Sequence, residues 1–332
     1  MSSARGLIVL AIAGVAPAAA FGQTAAVSAD WFQPTTVRPL TDPLYLPFAG
    51  QLYGWTEYSF ANPTGDNYSG SRGSRTSSFA RHDNAFTQGL SFALTDDIAL
   101  RAALSYGWGD NKVTSAFSGT TATYNSNGLD NPAFGVTWRA VDQISGSPVD
   151  LDFLLTVDPD VVSARAASPT NGGTFAAGQD HAELAVAVGR EMRDFTIAGK
   201  FTAVYYGDGG FREPSGVQYS ESSSWNYLFN IDTQTRLTDA WSINAGIQYA
   251  LNGDQHDIDT LGNNLRATYD NDFDFSTAIN YQIVPSRLAA SVSYEYVDLG
   301  DTAKYFANGF TDTQVRNRSN NIFGARLDYV FN

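Results

Sequence analysis

The chain has 332 residues, 13% of them aromatic, no cysteine, and a formal net charge of −14. Without cysteine there are no disulfide staples and no thiolate metal sites, and an acidic chain repels phosphate backbones, so no nucleic-acid partner is expected. The slightly negative mean hydropathy argues against a helical membrane protein but not against a membrane β-barrel, in which only alternate residues meet lipid.

The first segment, "MSSARGLIVLAIAGVAPAAAFGQ", has a positive n-region at Arg5, an apolar stretch from Leu7 to Val15 and an A-x-A site at Ala18–Ala20, with Ala20-Phe21-Gly22 as a competing site. It reads as a signal peptide over residues 1–22, because the apolar stretch is short of the ~20 residues a spanning helix needs. Residues 23–49 follow with Pro34, Pro39, Pro43 and Pro47, which disfavour regular helix or strand. Trp31, Phe32, Leu44, Tyr45 and Phe48 make this segment too apolar for a simple solvated tail. Two readings stay open for it, a hatch folded into the periplasmic mouth or a periplasmic tail.

From residue 50 to 332 the chain alternates apolar and polar residues in run after run. "QLYGWTEYSF" comes first, and "RHDNAFTQGLSFAL" places Phe86, Leu90, Phe92 and Leu94 on one face. "DIALRAALSYGW", "NPAFGVTWRAV", "PVDLDFLLTVD" and "HAELAVAVG" follow with the same period of two, and "DFTIAGKFTAVYY" opens the second half. The last run, "SNNIFGARLDYVFN", is the twelfth, with Phe323, Ala325, Leu327, Tyr329 and Phe331 on one face. Period-two alternation over such lengths predicts half-buried strands. The links between runs alternate between five short ones, such as "TDD" at 95–97, and six long polar ones. Short turns on one side and long loops on the other are the pattern of an outer-membrane barrel. The fold class predicted is therefore all-β: a transmembrane antiparallel up-and-down β-barrel of about 12 strands, with the last strand pairing with the first because an open edge in lipid leaves backbone groups unsatisfied.

With the apolar rows facing lipid, the opposite rows face the lumen. They hold the pore-lining candidates Arg101, Arg139, Asp150, Asp152, Glu183, Asp270, Asp272, Asp274, Glu295 and Arg326. In "DNDFD" the three aspartates alternate, which places Asp270, Asp272 and Asp274 on one face of strand ten, as a cation-selective stretch of wall or an ion-paired ladder. Neither neighbouring strand supplies a lumenal cation, so neutralisation is expected from across the barrel, for example from Arg101 or Arg139, or from a loop. Three histidines, His82, His181 and His256, are present, and none sits in a His-x-Ser pair of the kind outer-membrane phospholipases and lipid A deacylases carry. No catalytic residue, cofactor or metal site is expected, and the acidic loop around Asp254, Asp257 and Asp259 lacks EF-hand spacing.

"GLSFALTDDIALRAALSYGWGD" and "NGLDNPAFGVTWRAV", within roughly residues 88–205, resemble the outer-membrane transporters associated with phenol and aromatic meta-cleavage pathways. That resemblance implies uptake of small hydrophobic or aromatic compounds and carries over no single functional residue. The ending Tyr329-x-Phe331 resembles the C-terminal signal of bacterial outer-membrane proteins, with Asn332 after the aromatic where the pattern ends on it. The implied partners are outer-membrane lipid and lipopolysaccharide, the barrel-assembly machinery and a small-molecule solute. The expected role is passive solute uptake, with a blocked structural or surface-interaction barrel and a lipid hydrolase as alternatives.

Overall fold

The computed structural model describes residues 38–69, 73–176, 178–212, 218–258, 264–306 and 311–331. Residues 1–37, with the expected signal peptide and the first half of the Pro-containing segment, lie outside them, as does Asp259. The described chain forms one antiparallel sheet that closes on itself. Twelve strands make the wall: Leu52–Ala61, Ser74–Ala93, Ile98–Ser115, Ala133–Val141, Asp150–Asp158, His181–Met192, Phe195–Tyr206, Ser224–Arg236, Trp241–Leu251, Asp272–Val284, Leu288–Leu299 and Thr311–Phe331. They are called the first to the twelfth strand below. Each pairs with its neighbour in sequence, and the twelfth pairs with the first from Leu52↔Phe331 to Ala61↔Ile322. Closure removes the edge that would otherwise leave a row of N–H and C=O groups unpaired in lipid, at several kcal/mol each.

Alternate side chains divide outside from inside. Phe86, Leu90 and Phe92 of the second strand, Leu184 and Val188 of the sixth, and Phe229 and Ile231 of the eighth stand exposed on the outer wall. Their neighbours of opposite parity, such as Thr196, Ser242 and Asn280, are buried and polar. A band that is apolar outside and polar inside inverts the order of a soluble domain and fits a lipid solvent. Tyr106, Trp108, Trp225 and Tyr249 are exposed near the long-loop ends, and Trp241, Tyr281 and Phe331 near the short turns.

Two short turns share one construction. In "LTDD" and "LTDA", the Leu94 and Leu237 N–H groups donate to the carbonyls of Ile98 and Trp241 at 2.8 and 2.9 Å. Thr95 Oγ1 accepts the N–H of Ile98 at 3.0 Å, and Thr238 Oγ1 that of Trp241 at 3.0 Å. A hydroxyl that mimics a backbone acceptor is what favours threonine here. The long connections differ from expectation. They carry seven further strands among the described residues, such as Thr64–Ser69 and Thr121–Leu129, which extend the wall beyond the apolar band. The tenth strand also begins later than its alternation implied. Leu265 to Tyr269 belong to a separate strand, Asn264–Tyr269, and the wall resumes at Asp272 after a break at Asp270–Asn271.

Candidate functional site

The segment before the first strand enters the lumen at its short-turn end. Arg38, Leu40, Asp42, Leu44 and Leu46 are buried in alternation, with Pro39, Thr41, Pro43 and Tyr45 between them. Two turns compact it: the Asp42 N–H donates to Pro39 O and the Tyr45 N–H to Asp42 O, each at 3.0 Å. In the second, Pro43 fixes φ, and Asp42 Oδ1 accepts the Leu44 N–H at 2.8 Å. Proline lacks an N–H, so each one removes a donor that this buried segment would have to satisfy.

Strands from around the barrel hold the segment. Thr196 Oγ1 donates to Asp42 Oδ2 at 2.7 Å, Asn244 Nδ2 to Thr41 O at 3.0 Å, and Gln234 Nε2 to Thr41 Oγ1 at 3.1 Å. Leu40 packs on Tyr53 and Ala289, with Tyr45, Trp55 and Val330 against them. Leu44 fills the space beside Gly189, where a Cβ would come within 2.6 Å of its methyl carbon. Residues 38–47 are thus packed inside the short-turn end of the barrel.

Five of the ten lumenal candidates converge around this plug. Arg139 forks onto Asp152 at 2.8 and 2.9 Å and gives a further N–H to Leu44 O at 2.7 Å. Asp150, fully buried, pairs with Arg38 and accepts the Gln143 N–H at 2.7 Å. Arg326 binds Asp328 at 2.8 Å, reaches Glu57 at 3.7 Å and stacks over Trp55 at 5.4 Å. Arg101 faces the same region. Three groups the sequence reading passed over complete it. Arg38 spans Asp150 and Glu191, Glu191 also pairs with Arg236, and Tyr53 donates its hydroxyl to Asp328. Glu191 lies where a short turn begins, and only its odd-numbered parity with Glu183 marks it as lumenal.

The other candidates sit toward the long-loop end. Asp274 is buried and accepts from Gln248, and Asp272 Oδ1 accepts the Gly300 N–H at 2.7 Å. Asp270 lies in the break before the tenth strand and is exposed, so the expected ladder of three carboxylates is a pair. The chain turns out of the wall at Asp270–Asn271, which ends the parity that placed the third. Arg139 is committed at the opposite end of the lumen and does not neutralise this pair. Arg101 lies three residues after the short turn at Asp97–Ile98, also far from it. Glu295, on the eleventh strand, has no ion pair among the described residues. Glu183 contacts His181 Nε2 at 3.4 Å, and His181 Nδ1 meets Asp158 at 2.9 Å while its ring stacks on Tyr206. Toward the long-loop end, the ring of Phe175 lies against Gly107 on the inner face of the third strand.

Between the plug and the upper lumen lies a cavity of about 430 Å³, lined by Tyr45 and Asp42 of the plug and by Tyr53, Trp55, Arg101 and Asn280 of the wall, among others. No grouping of His, Asp and Glu among the described residues is arranged to hold a metal ion. The site is a polar lumen with residues 38–47 packed in its short-turn end and Phe175 against the wall toward its long-loop end.

No family model and no curated protein sequence matches the chain. Solved structures with the same fold include an outer membrane channel from Pseudomonas putida F1, at 13% identity and a TM-score of 0.56, covering 86% of this chain and 97% of that one. The transport unit of the autotransporter AIDA-I from Escherichia coli is similar at 10% identity and a TM-score of 0.52, covering 84% and 90%. At such identities the likeness concerns the fold, a closed outer-membrane-type barrel.

Proposed function

We propose that the protein is an outer-membrane channel for passive uptake of small solutes, held closed at the short-turn mouth by its own residues 38–47. The observation that carries this reading is the state of the lumenal charges. Lys200 and Arg101 face the interior with no hydrogen bond or ion pair to the described residues, and a charge left unpaired in a dry interior is prohibitive. Such a lumen is wet, and a wet lumen through a membrane conducts once its plug yields. The fold shared with a channel from Pseudomonas putida F1 supports the reading at the level of architecture. Small hydrophobic or aromatic compounds are the solutes we favour. Outer-membrane lipid, lipopolysaccharide and the barrel-assembly machinery are the partners this placement entails, with the short turns in the periplasm and no catalytic role.

The plug itself favours a second reading, a surface-interaction barrel that never opens. Liposome swelling over a panel of sugars, amino acids and aromatic compounds separates the two. The channel reading predicts size-limited swelling for at least one class of solute, and a structural barrel predicts none for any.

A further inference from the structure

The cavity above the plug has one feature that the closed barrel does not use. Around it, every other charged group has its own partner. Asp328 is held by Tyr53 and Arg326, Glu57 by Arg326, and Asp42 by Thr196 and the Leu44 N–H. Arg101 alone, accessible from the cavity it lines, takes no hydrogen bond or ion pair from the described residues. A guanidinium is charged at any physiological pH and offers a planar fork of donors matched to a carboxylate. A guanidinium that is accessible from the cavity and unpaired by the described residues is free to take an anion there.

Level with Arg101 and two strands away, the cavity wall is aromatic, since Tyr53 pairs with Ser91 and Ser91 with Arg101. Tyr45 and Tyr53 stand 5.3 Å apart between ring centres, and Tyr53 stacks on Trp55 at 5.8 Å. The cavity, at about 430 Å³, falls in the ~300–1,000 Å³ span of ligand pockets, which combine an apolar lining with a few fixed polar groups. We propose that this cavity is a subsite for a small aromatic carboxylate, its carboxylate on the Arg101 fork and its ring against Tyr45 and Trp55. Tyr45 belongs to the plug, so the bound acid touches both the wall and the hatch. The proposal deepens the channel reading and rests on it for how a solute arrives.

The test is isothermal titration of the purified full chain in detergent, in chloride-free buffer at neutral pH, with sodium benzoate, sodium acetate and benzyl alcohol as probes. Arg101→Gln and Arg101→Lys are compared with wild type, each first shown to keep the heat-modifiable migration of a folded barrel. Benzoate is expected to bind wild type, to weaken about tenfold or more in Arg101→Gln, and to weaken less in Arg101→Lys, which keeps the charge but loses the fork. Benzyl alcohol, with the same ring and no charge, is expected to bind wild type and Arg101→Gln alike. Benzoate that fails to bind wild type, or binds Arg101→Gln as well as wild type, would overturn the subsite. Acetate binding as tightly as benzoate would overturn the aromatic assignment. Binding in detergent is read without conduction, so a protein that binds benzoate but never swells liposomes contradicts the channel and not the subsite.

Discussion

At the scale of single residues, the lumen divides into a neutralised half and an acidic half. Near the plug each carboxylate has a cation beside it, as Asp152 has Arg139 and Asp150 has Arg38. Toward the long loops, Asp272, Asp274 and Glu295 have none among the described residues. In a narrow low-dielectric passage, such fixed charge favours counter-ions. Asp272→Asn combined with Asp274→Asn is therefore expected to move the reversal potential under a salt gradient toward zero; an unchanged potential would mark the pair as structural. Glu191 makes a contrasting case, since it is fully buried between Arg38 and Arg236. Glu191→Gln removes the carboxylate that Arg38 and Arg236 share and leaves Arg38 with Asp150, and breaking a buried pair from one side costs about 3–5 kcal/mol. Thermal unfolding followed by loss of heat-modifiable migration should begin at lower temperature, and more so than for Asp272→Asn. The inward parity of nearly all these residues was legible, because a strand has a period of two. Parity does not extend to Asp270, because the strand breaks at Asp270–Asn271 and the run of aspartates does not announce it.

At the scale of elements, the twelve wall strands and their short turns were legible because both are local. Apolar alternation marks the strands, and a threonine hydroxyl at "LTD" marks the turn. The strands inside the long loops were not legible. They are short and mostly polar, and Thr121–Leu129 lies beside the upper part of the third strand, with which it pairs. The plug was half legible. Its prolines excluded regular structure and its apolar residues argued against a tail, but its anchors, Thr196, Asn244 and Gln234, are about 150 to 200 positions away. One anchor also titrates. Burial pushes the Asp42 carboxyl above its ordinary range, the charge of Glu191 acts in the same direction, and the bonds from Thr196 and Leu44 and the charge of Arg38 oppose them. A carboxyl raised in the docked state favours the protonated form, so its contribution to docking is complete below the ordinary carboxylate pKa and is lost as pH rises through the raised value. Open probability in a planar bilayer is expected to rise with pH across that interval. Asp42→Asn, which cannot ionise, should flatten this dependence; a profile identical to wild type would place the titration elsewhere.

At the scale of the molecule, the twelfth strand does two things at once. Its outward row presents Phe323, Leu327 and Phe331 to lipid, while its inward row carries Arg326, Asp328 and Val330 to Tyr53 and the plug. Barrel closure and plug docking thus meet at one seam, where Leu52–Ala61 lies against the last strand. The general architecture followed from alternation and loop lengths alone, whereas the closed state depends on contacts between residues far apart in sequence. In the proposed channel, residues 38–47 close a lumen that otherwise conducts. Single-channel recording in planar bilayers tests it, comparing wild type with a chain carrying Arg38→Ala and Asp42→Ala, which removes the pairs to Asp150 and Glu191 and the bond from Thr196. Small or infrequent steps are expected for wild type, and larger or longer openings for the variant. Silence in both, or full conductance in wild type that the variant leaves unchanged, would contradict it.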